Sequence, residues 1–254
     1  MKRWIFALVA LACSNALGKQ ALEHIEQRTY PVVPNVRLSF RLTDGTVHLY
    51  GSDEPAIKIT AIKKAYTQER LDAIQVNVTL NGDEAVIDTV MPPKAPGLST
   101  ADRSGTVDYT LLVPQTCTIT RLEVVNGEII VEGMRGEGLS ASLTNGRIRA
   151  VNCFTPTDLS LGSGGLDVYY FWWEQRSFPV EIQSRNADIR VALPASSAAS
   201  FDAATRNGWI RNQFDPERQQ EGTAQTLEWI LGLDPTSEIK LRAQNGNIRI
   251  ENIY

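Results

Sequence analysis

A turn that recurs at near-constant spacing constrains this chain more than any other feature. Asn126-Gly127 is followed by Asn145-Gly146, Ser163-Gly164, Asn186-Ala187, Asn207-Gly208 and Asn245-Gly246. The steps are 19, 18, 23, 21 and 38 residues, the last about two steps long. Self-similarity at a fixed period of about 20 residues marks a stacked repeat fold.

Each turn sits inside an alternating pattern. Three residues past the turn Asn or Ser stand Ile129, Ile148, Leu166, Ile189, Ile210 and Ile248. Four before it stand Leu122, Ala141, Leu159, Ile182, Ala203 and Leu241, and two before it Val124, Leu143, Leu161, Ser184, Thr205 and Ala243. Even spacing within a strand puts those side chains on one face. One repeat cannot bury its apolar row alone, but rungs stacked about 4.8 Å apart can. Gly takes positive φ without a steric cost, Asn tolerates it, and stacked asparagines can hydrogen-bond from rung to rung. The pattern predicts an all-β fold, a parallel β-solenoid of about 19–21 residues per rung. Ordinary antiparallel Asn-Gly hairpins would explain each turn, but not the columns that align between copies.

The first third carries the same pattern once, in Leu38, Phe40, Leu42, Asp44-Gly45, Val47 and Leu49. Residues 57–62 read as a strand, and 66–73 as a short helix or loop. Residues 74–80 and 85–90 flank Asn81-Gly82 as a hairpin, 92–104 form a loop, and 107–113 another strand. Residues 36–115 are therefore expected to form a β-sheet cap on the repeats of 116–254, with 19–35 an N-terminal extension. Residues 1–18 read as a secretory signal: Lys2 and Arg3, an apolar run over 4–12, then Ala16-Leu17-Gly18. That run is too short to span a bilayer, and no later segment is suited to it. The chain is expected to be exported to the periplasm, the cell surface or the medium. A rival reading lipidates Cys13, but Leu11 stands where small residues are preferred.

Composition narrows the function. With 43% hydrophobic residues among 254, the chain is not disordered, and a net charge of -4 argues against binding nucleic acid. Two histidines and three cysteines leave little for a metal site, and no cofactor or metal is expected. No nucleophile-elbow, zinc-protease, phosphate-loop or dinucleotide motif is present. Cys117 and Cys153 fall nearly in phase but two rungs apart, about 9.5 Å, too far for a disulfide. Two free thiols are expected.

Two features are candidates for binding. Five before the turn, Asp158, Glu181 and Asp202 are expected on three consecutive rungs, about 5 Å apart. Such a row could hold Ca²⁺ or act as a carboxylate pair on sugars, or it could be a solvated polar face. The run Tyr169-Tyr170-Phe171-Trp172-Trp173 is the second. Its Tyr170, Trp172 and Trp173 either stack on a ligand such as a sugar ring or pack over the side of the coil.

The segment Val107-Asp108-Tyr109-Thr110-Leu111-Leu112-Val113-Pro114, followed by Val-Asn-Gly-Glu-Ile and then Thr-Asn-Gly-Arg-Ile, resembles a known family. It looks like the bacterial putative-adhesin β-repeat family, a domain of unknown function in exported and envelope proteins, and is similar to autotransporter adhesin head domains. The likeness runs from about Val36 to the C-terminus. It implies a right-handed β-helix outside the cytoplasm with no enzyme activity to carry over. Ala187 and Ser163 depart from the turn pattern. The expectation is an exported, non-enzymatic, adhesin-like β-solenoid that binds or scaffolds at the cell envelope or surface, with a polysaccharide or envelope protein as partner. The alternative is a carbohydrate-active β-helix enzyme using the stacked carboxylates.

Overall fold

A computed structural model describes residues 20–93, 104–217, 222 and 224–253. The expected signal segment, Cys13 and most of the 92–104 loop lie outside them. The elements are β1 (Leu22–Pro31), β2 (Arg37–Ser52), β3 (Ala56–Ala65), α1 (Gln68–Ala73), β4 (Gln75–Asn81), β5 (Glu84–Val90) and β6 (Thr106–Pro114). They continue as β7 (Thr118–Glu132), β8 (Leu139–Val151), β9 (Thr157–Tyr169), β10 (Val180–Leu193), β11 (Ala199–Asn207), β12 (Ile210–Asn212), β13 (Gln225–Leu231), β14 (Ser237–Asn245) and β15 (Ile248–Asn252). Among the described residues they join in one 15-stranded sheet. Its main path is β1-β3-β6-β2-β7-β8-β9-β10-β14-β11-β13.

The repeat columns are real structural registers. Asp44, Asn126, Asn145 and Ser163 pair in line on β2, β7, β8 and β9, and so do Val47, Ile129, Ile148 and Leu166. Each of these strands runs through its turn and bends there. Leu159 and Leu161 are buried before the bend, Leu166 and Val168 after it. The inward phase thus slips by one residue at the corner, so both arms bury an apolar face. Each fully buried Ile or Leu in these columns contributes about 1.5–3 kcal/mol.

Glycine makes that slip possible on the first rungs. Gly45, Gly127, Gly146 and Gly164 hold φ of 142°, 141°, 136° and 136°. A Cβ on Gly146 would overlap the carbonyl oxygen of Gly127, and one on Gly164 that of Gly146. Beside them Asn145 Nδ2 donates to Asn126 Oδ1 at 3.0 Å, and Asn126 Nδ2 to Asp44 Oδ1 at 2.9 Å. The ladder stops at Ser163, which is too short to continue it, and resumes as Asn207 to Asn245 (2.7 Å) and Asn245 to Asn186 (2.8 Å).

Ala187 changes the corner. Neither it nor Gly208 or Gly246 is among the residues with positive φ. The rearranged corners turn carbonyls inward: Ser184 Oγ donates to Ala187 O at 2.9 Å, and Thr205 Oγ1 to Gly246 O at 2.7 Å. This explains why the inward column switches from Val124, Leu143 and Leu161 to Ser184 and Thr205. A buried carbonyl needs a donor, and a hydroxyl at that position supplies one.

Two expectations need correction. The sheet is mixed, not parallel throughout. β1/β3, β3/β6, β4/β5 and β11/β13 are antiparallel, while β2 and β7–β10 pair in parallel. The rungs also do not follow chain order. β14 and β15 lie between β10 and the pair β11–β12, parallel to both. The double-length step arises because β13 first covers the outer edge of β11, and the chain then returns to fill the next place inward.

The N-terminal region holds the expected hairpin β4–β5, strands β3 and β6, and a one-turn helix α1. The stretch expected to be an N-terminal extension contributes β1, paired along β3. Its anchors are polar: Glu26 meets the buried Lys63 at 2.5 Å, and Arg28 donates to Val76 O at 3.0 Å. Burial pushes the Glu26 carboxyl up, but its hydrogen bond and charge pairing with Lys63 outweigh this and hold it below its ordinary value.

Cys117 and Cys153 are buried and unpaired, as the register requires. Cys153 Sγ lies 3.5 Å from Val151 O. Burial pushes the two thiols up to about 12 and about 11. The thiolate is the reactive form. A chain lacking residues 1–18 is therefore expected to show no reactive thiol when native at pH 8 and two after unfolding without reductant. Fast native labelling would contradict the burial, and zero thiols after unfolding would mean a disulfide.

Candidate functional site

The acidic row is shorter than its sequence suggests. Asp158 and Glu181 do face each other on β9 and β10. The next partner of Glu181 is Lys240 on the inserted β14, and only then comes Asp202. Three consecutive carboxylates are thus corrected to a pair, a cation, and a separate Asp202 held by Arg242. Asp158 is pushed above its ordinary value, by burial first and by the charge of Glu181 second. Among the described residues no three His, Cys, Asp or Glu side chains gather as a metal cluster.

The aromatic run leaves β9 after Tyr169, and the loop that follows divides it between core and surface. Tyr170 is 1% exposed and packs against Phe154 and Phe178, at ring separations of 5.5 and 5.7 Å. Trp173 is half-buried against Tyr170 and Phe178. Tyr170 is therefore a core residue that no ligand reaches, and Trp173 chiefly packs. Phe171 and Trp172 remain 51% and 47% exposed. Phe171 stacks on Tyr169, whose hydroxyl accepts from Arg190 at 3.0 Å. Arg135 ties the loop down through Glu174 at 2.7 Å.

The larger concavity lies on a face that the sequence columns did not single out. A groove of about 820 Å³ crosses the outer side of the arms before the corner. It runs from β8 over β9, β10, β14 and β11 to β13, five inter-strand steps, or about 24 Å. The row Ser142, Ser160, Gln183, Arg242, Ala204 and Thr226, aligned by register, forms one side of it. Small residues at Ser142, Ser160 and Ala204 keep it open. Toward the corner stand Gly162, Arg185, Gln244 and Arg206. At one end stand Ala224 and Gln225, and the buried Gln225 donates to Gly222 O at 2.8 Å and accepts from Ile210 N at 2.5 Å. The outward positions three and one before each turn carried this signal. Reading them in space required β14 to be placed between β10 and β11.

A second groove of about 480 Å³ flanks the corner on the other arm. Arg190, Arg249 and Arg211 occupy consecutive rungs on this arm. Its charges are already engaged. Arg190 pairs with Glu251 at 2.5 Å, Arg249 lies 3.7 Å from Asp188 and Arg147 3.8 Å from Asp167. Arg211 and Arg249 both cover the Trp209 ring. In the larger groove Arg185 and Arg206 are exposed and have no hydrogen-bond or ion-pair partner among the described residues. The larger groove is therefore the better-equipped site.

Among the described residues no helix is long and apolar enough to cross a membrane. No protein-family model and no curated protein sequence matches the chain. Solved structures do. A putative cell adhesion protein from Clostridium sporogenes is similar at 15% identity, with a TM-score of 0.55, over 92% of this chain and 100% of that one. A putative adhesin from Bacteroides fragilis aligns at 10% identity and a TM-score of 0.33, over 89% and 97% of the two chains. A putative lipid binding protein from Parabacteroides distasonis aligns at 12% and 0.35, over 89% and 96%. The last two are too loose to add to the argument; the first shows that this chain and the Clostridium sporogenes protein share a fold.

Proposed function

We propose that the chain is an exported, non-enzymatic, adhesin-like β-solenoid that binds or scaffolds at the bacterial cell envelope or surface, in the manner of the putative-adhesin repeat family. The observation that carries the reading is the long groove across six strands, lined by small residues, amides and arginines. An open trough of that length suits an extended, hydroxyl-rich chain such as an envelope polysaccharide. The parallel pairing of β7 to β10 supports the solenoid, and the fold shared with the Clostridium sporogenes protein supports the family. Phe171 and Trp172 offer a second, aromatic contact surface outside the groove.

The alternative is a carbohydrate-active enzyme. It is favoured by the Asp158–Glu181 pairing on adjacent strands, since retaining chemistry needs carboxyls about 5–5.5 Å apart. Lys240 on the next rung and the open surroundings weigh against it. A melting screen of residues 19–254 against envelope polysaccharides and peptidoglycan fragments tests both. A ligand at about 100 times its Kd adds about 2.7 kcal/mol to the folded state. Saturable stabilisation without product is the expected result. Product release that disappears in Asp158→Asn or Glu181→Gln would establish the enzyme reading instead, and a chain retained in the cytoplasm would sink the export reading.

A further inference from the structure

We infer that the groove is selective for a linear polysaccharide bearing carboxylates, held by the row Arg185–Gln244–Arg206; this rests on the binding reading above. The row follows from the inserted strand. Ser184, Ala243 and Thr205 pair in register, as do Asn186, Asn245 and Asn207, so the residue between them on each strand shares one outward position. Arg185 and Arg206 therefore flank Gln244, two inter-strand steps or about 9.6 Å apart at the backbone. All three are exposed.

The charges around the row decide the ligand class. Glu181 accepts from Gln183 at 2.9 Å, and Asp202 is held by Arg242. Lys240 stands between them in the same column and ion-pairs with Glu238 at 3.1 Å. Asp158 lies on β9, where the corner-side position is Gly162 and offers no cation. Arg185 and Arg206 are thus guanidiniums with no internal counter-charge, on the side of the groove away from the carboxylate column. A guanidinium presents a planar fork that matches a carboxylate with two parallel hydrogen bonds. Gln244, between the two, supplies both a donor and an acceptor for a sugar hydroxyl. A chain lying along the strand-stacking direction would meet cation, amide, cation in turn. Two isolated cations on a chain of net charge -4 do not amount to the basic surface that nucleic acid requires.

The test uses residues 19–254 and polygalacturonate, with its fully methyl-esterified form, neutral dextran and oligothymidylate as comparisons. Polygalacturonate is expected to bind saturably and to weaken as salt rises, while the methyl ester and dextran bind at least tenfold less tightly. Arg185→Gln and Arg206→Gln are each expected to lose roughly tenfold in affinity, with unchanged melting temperatures, as befits one charged hydrogen-bonding group lost. Arg147→Gln, in the other groove, is expected to change little. Ser160→Trp, which fills the trough, separates the two levels of the reading. If it abolishes binding of dextran and polygalacturonate alike while the arginine variants bind normally, the groove is the site but the charge selectivity is wrong. If it leaves binding untouched, the groove reading itself fails. No saturable binding of polygalacturonate, or equal binding of oligothymidylate with the same arginine dependence, overturns the inference.

Discussion

Deletion of residues 235–254 is expected to remove most of the chain's stability. The lost strands β14 and β15 carry Ile239, Leu241, Ile248 and Ile250, all with no exposed surface. Burying four such side chains is worth about 6–12 kcal/mol as an upper bound, comparable with the total of about 5–15 kcal/mol that holds a typical domain. The deletion also strips β10 and β11–β12 of the neighbour they share. Circular dichroism melting should show loss of the cooperative transition, or a transition lowered by tens of degrees with the C-terminal rungs open to protease. One outcome would refute this. β11–β12 carries the same columns as β14–β15, with Ala203 and Ile210 matching Leu241 and Ile248. If the truncated chain melts like the full one, β11–β12 has closed onto β10 in the vacant register, and the inserted strand is dispensable for stability.

Gly146→Ala is expected to cost about 3 kcal/mol or more, from a disfavoured φ together with steric overlap in a packed stack. The φ of 136° is a conformation that side chains rarely adopt, and the new methyl would overlap the Gly127 carbonyl. That carbonyl belongs to a strand pinned on both sides, so it cannot move aside cheaply. For a chain of this size the loss corresponds to a fall of about 6–12 °C in Tm. Gly82→Ala is the control. Gly82 also has positive φ, 61°, but a Cβ there meets nothing within 4 Å. Its expected cost is about 1–2 kcal/mol. Equal, small shifts for both variants would show that the corners do not depend on glycine packing.

The groove and the corner are products of the same sequence pattern, read on opposite faces. Leu122, Val124 and Ile129 lie inward as their columns require. The Asn and Gly positions stack where the turn chemistry puts them. Even the departure at Ala187 was visible, and with it the polar Ser184 and Thr205, although their role became clear only once the inward carbonyls were seen. β1 was harder to read, because its contacts are ion pairs and backbone acceptors around Glu26 and Arg28, which leave no apolar alternation. The aromatic run could not be assigned to one side from its sequence. Five adjacent aromatics satisfy either face, and the loop path decided that Tyr170 goes in and Trp172 stays out.

By itself the sequence determined the strand period, the corners, the inward columns and the free thiols, because each depends on local geometry and spacing along the chain. Only the tertiary structure decided which rung lies beside which. Every repeat presents the same apolar columns and the same turn, so many neighbour orders satisfy the local pattern equally well. The choice was made by β13, which folds back antiparallel on β11 and covers its outer edge. The final repeat then has its place between β10 and β11. That placement puts Lys240 into the acidic row, aligns Arg190, Arg249 and Arg211, and sets Gln244 between Arg185 and Arg206.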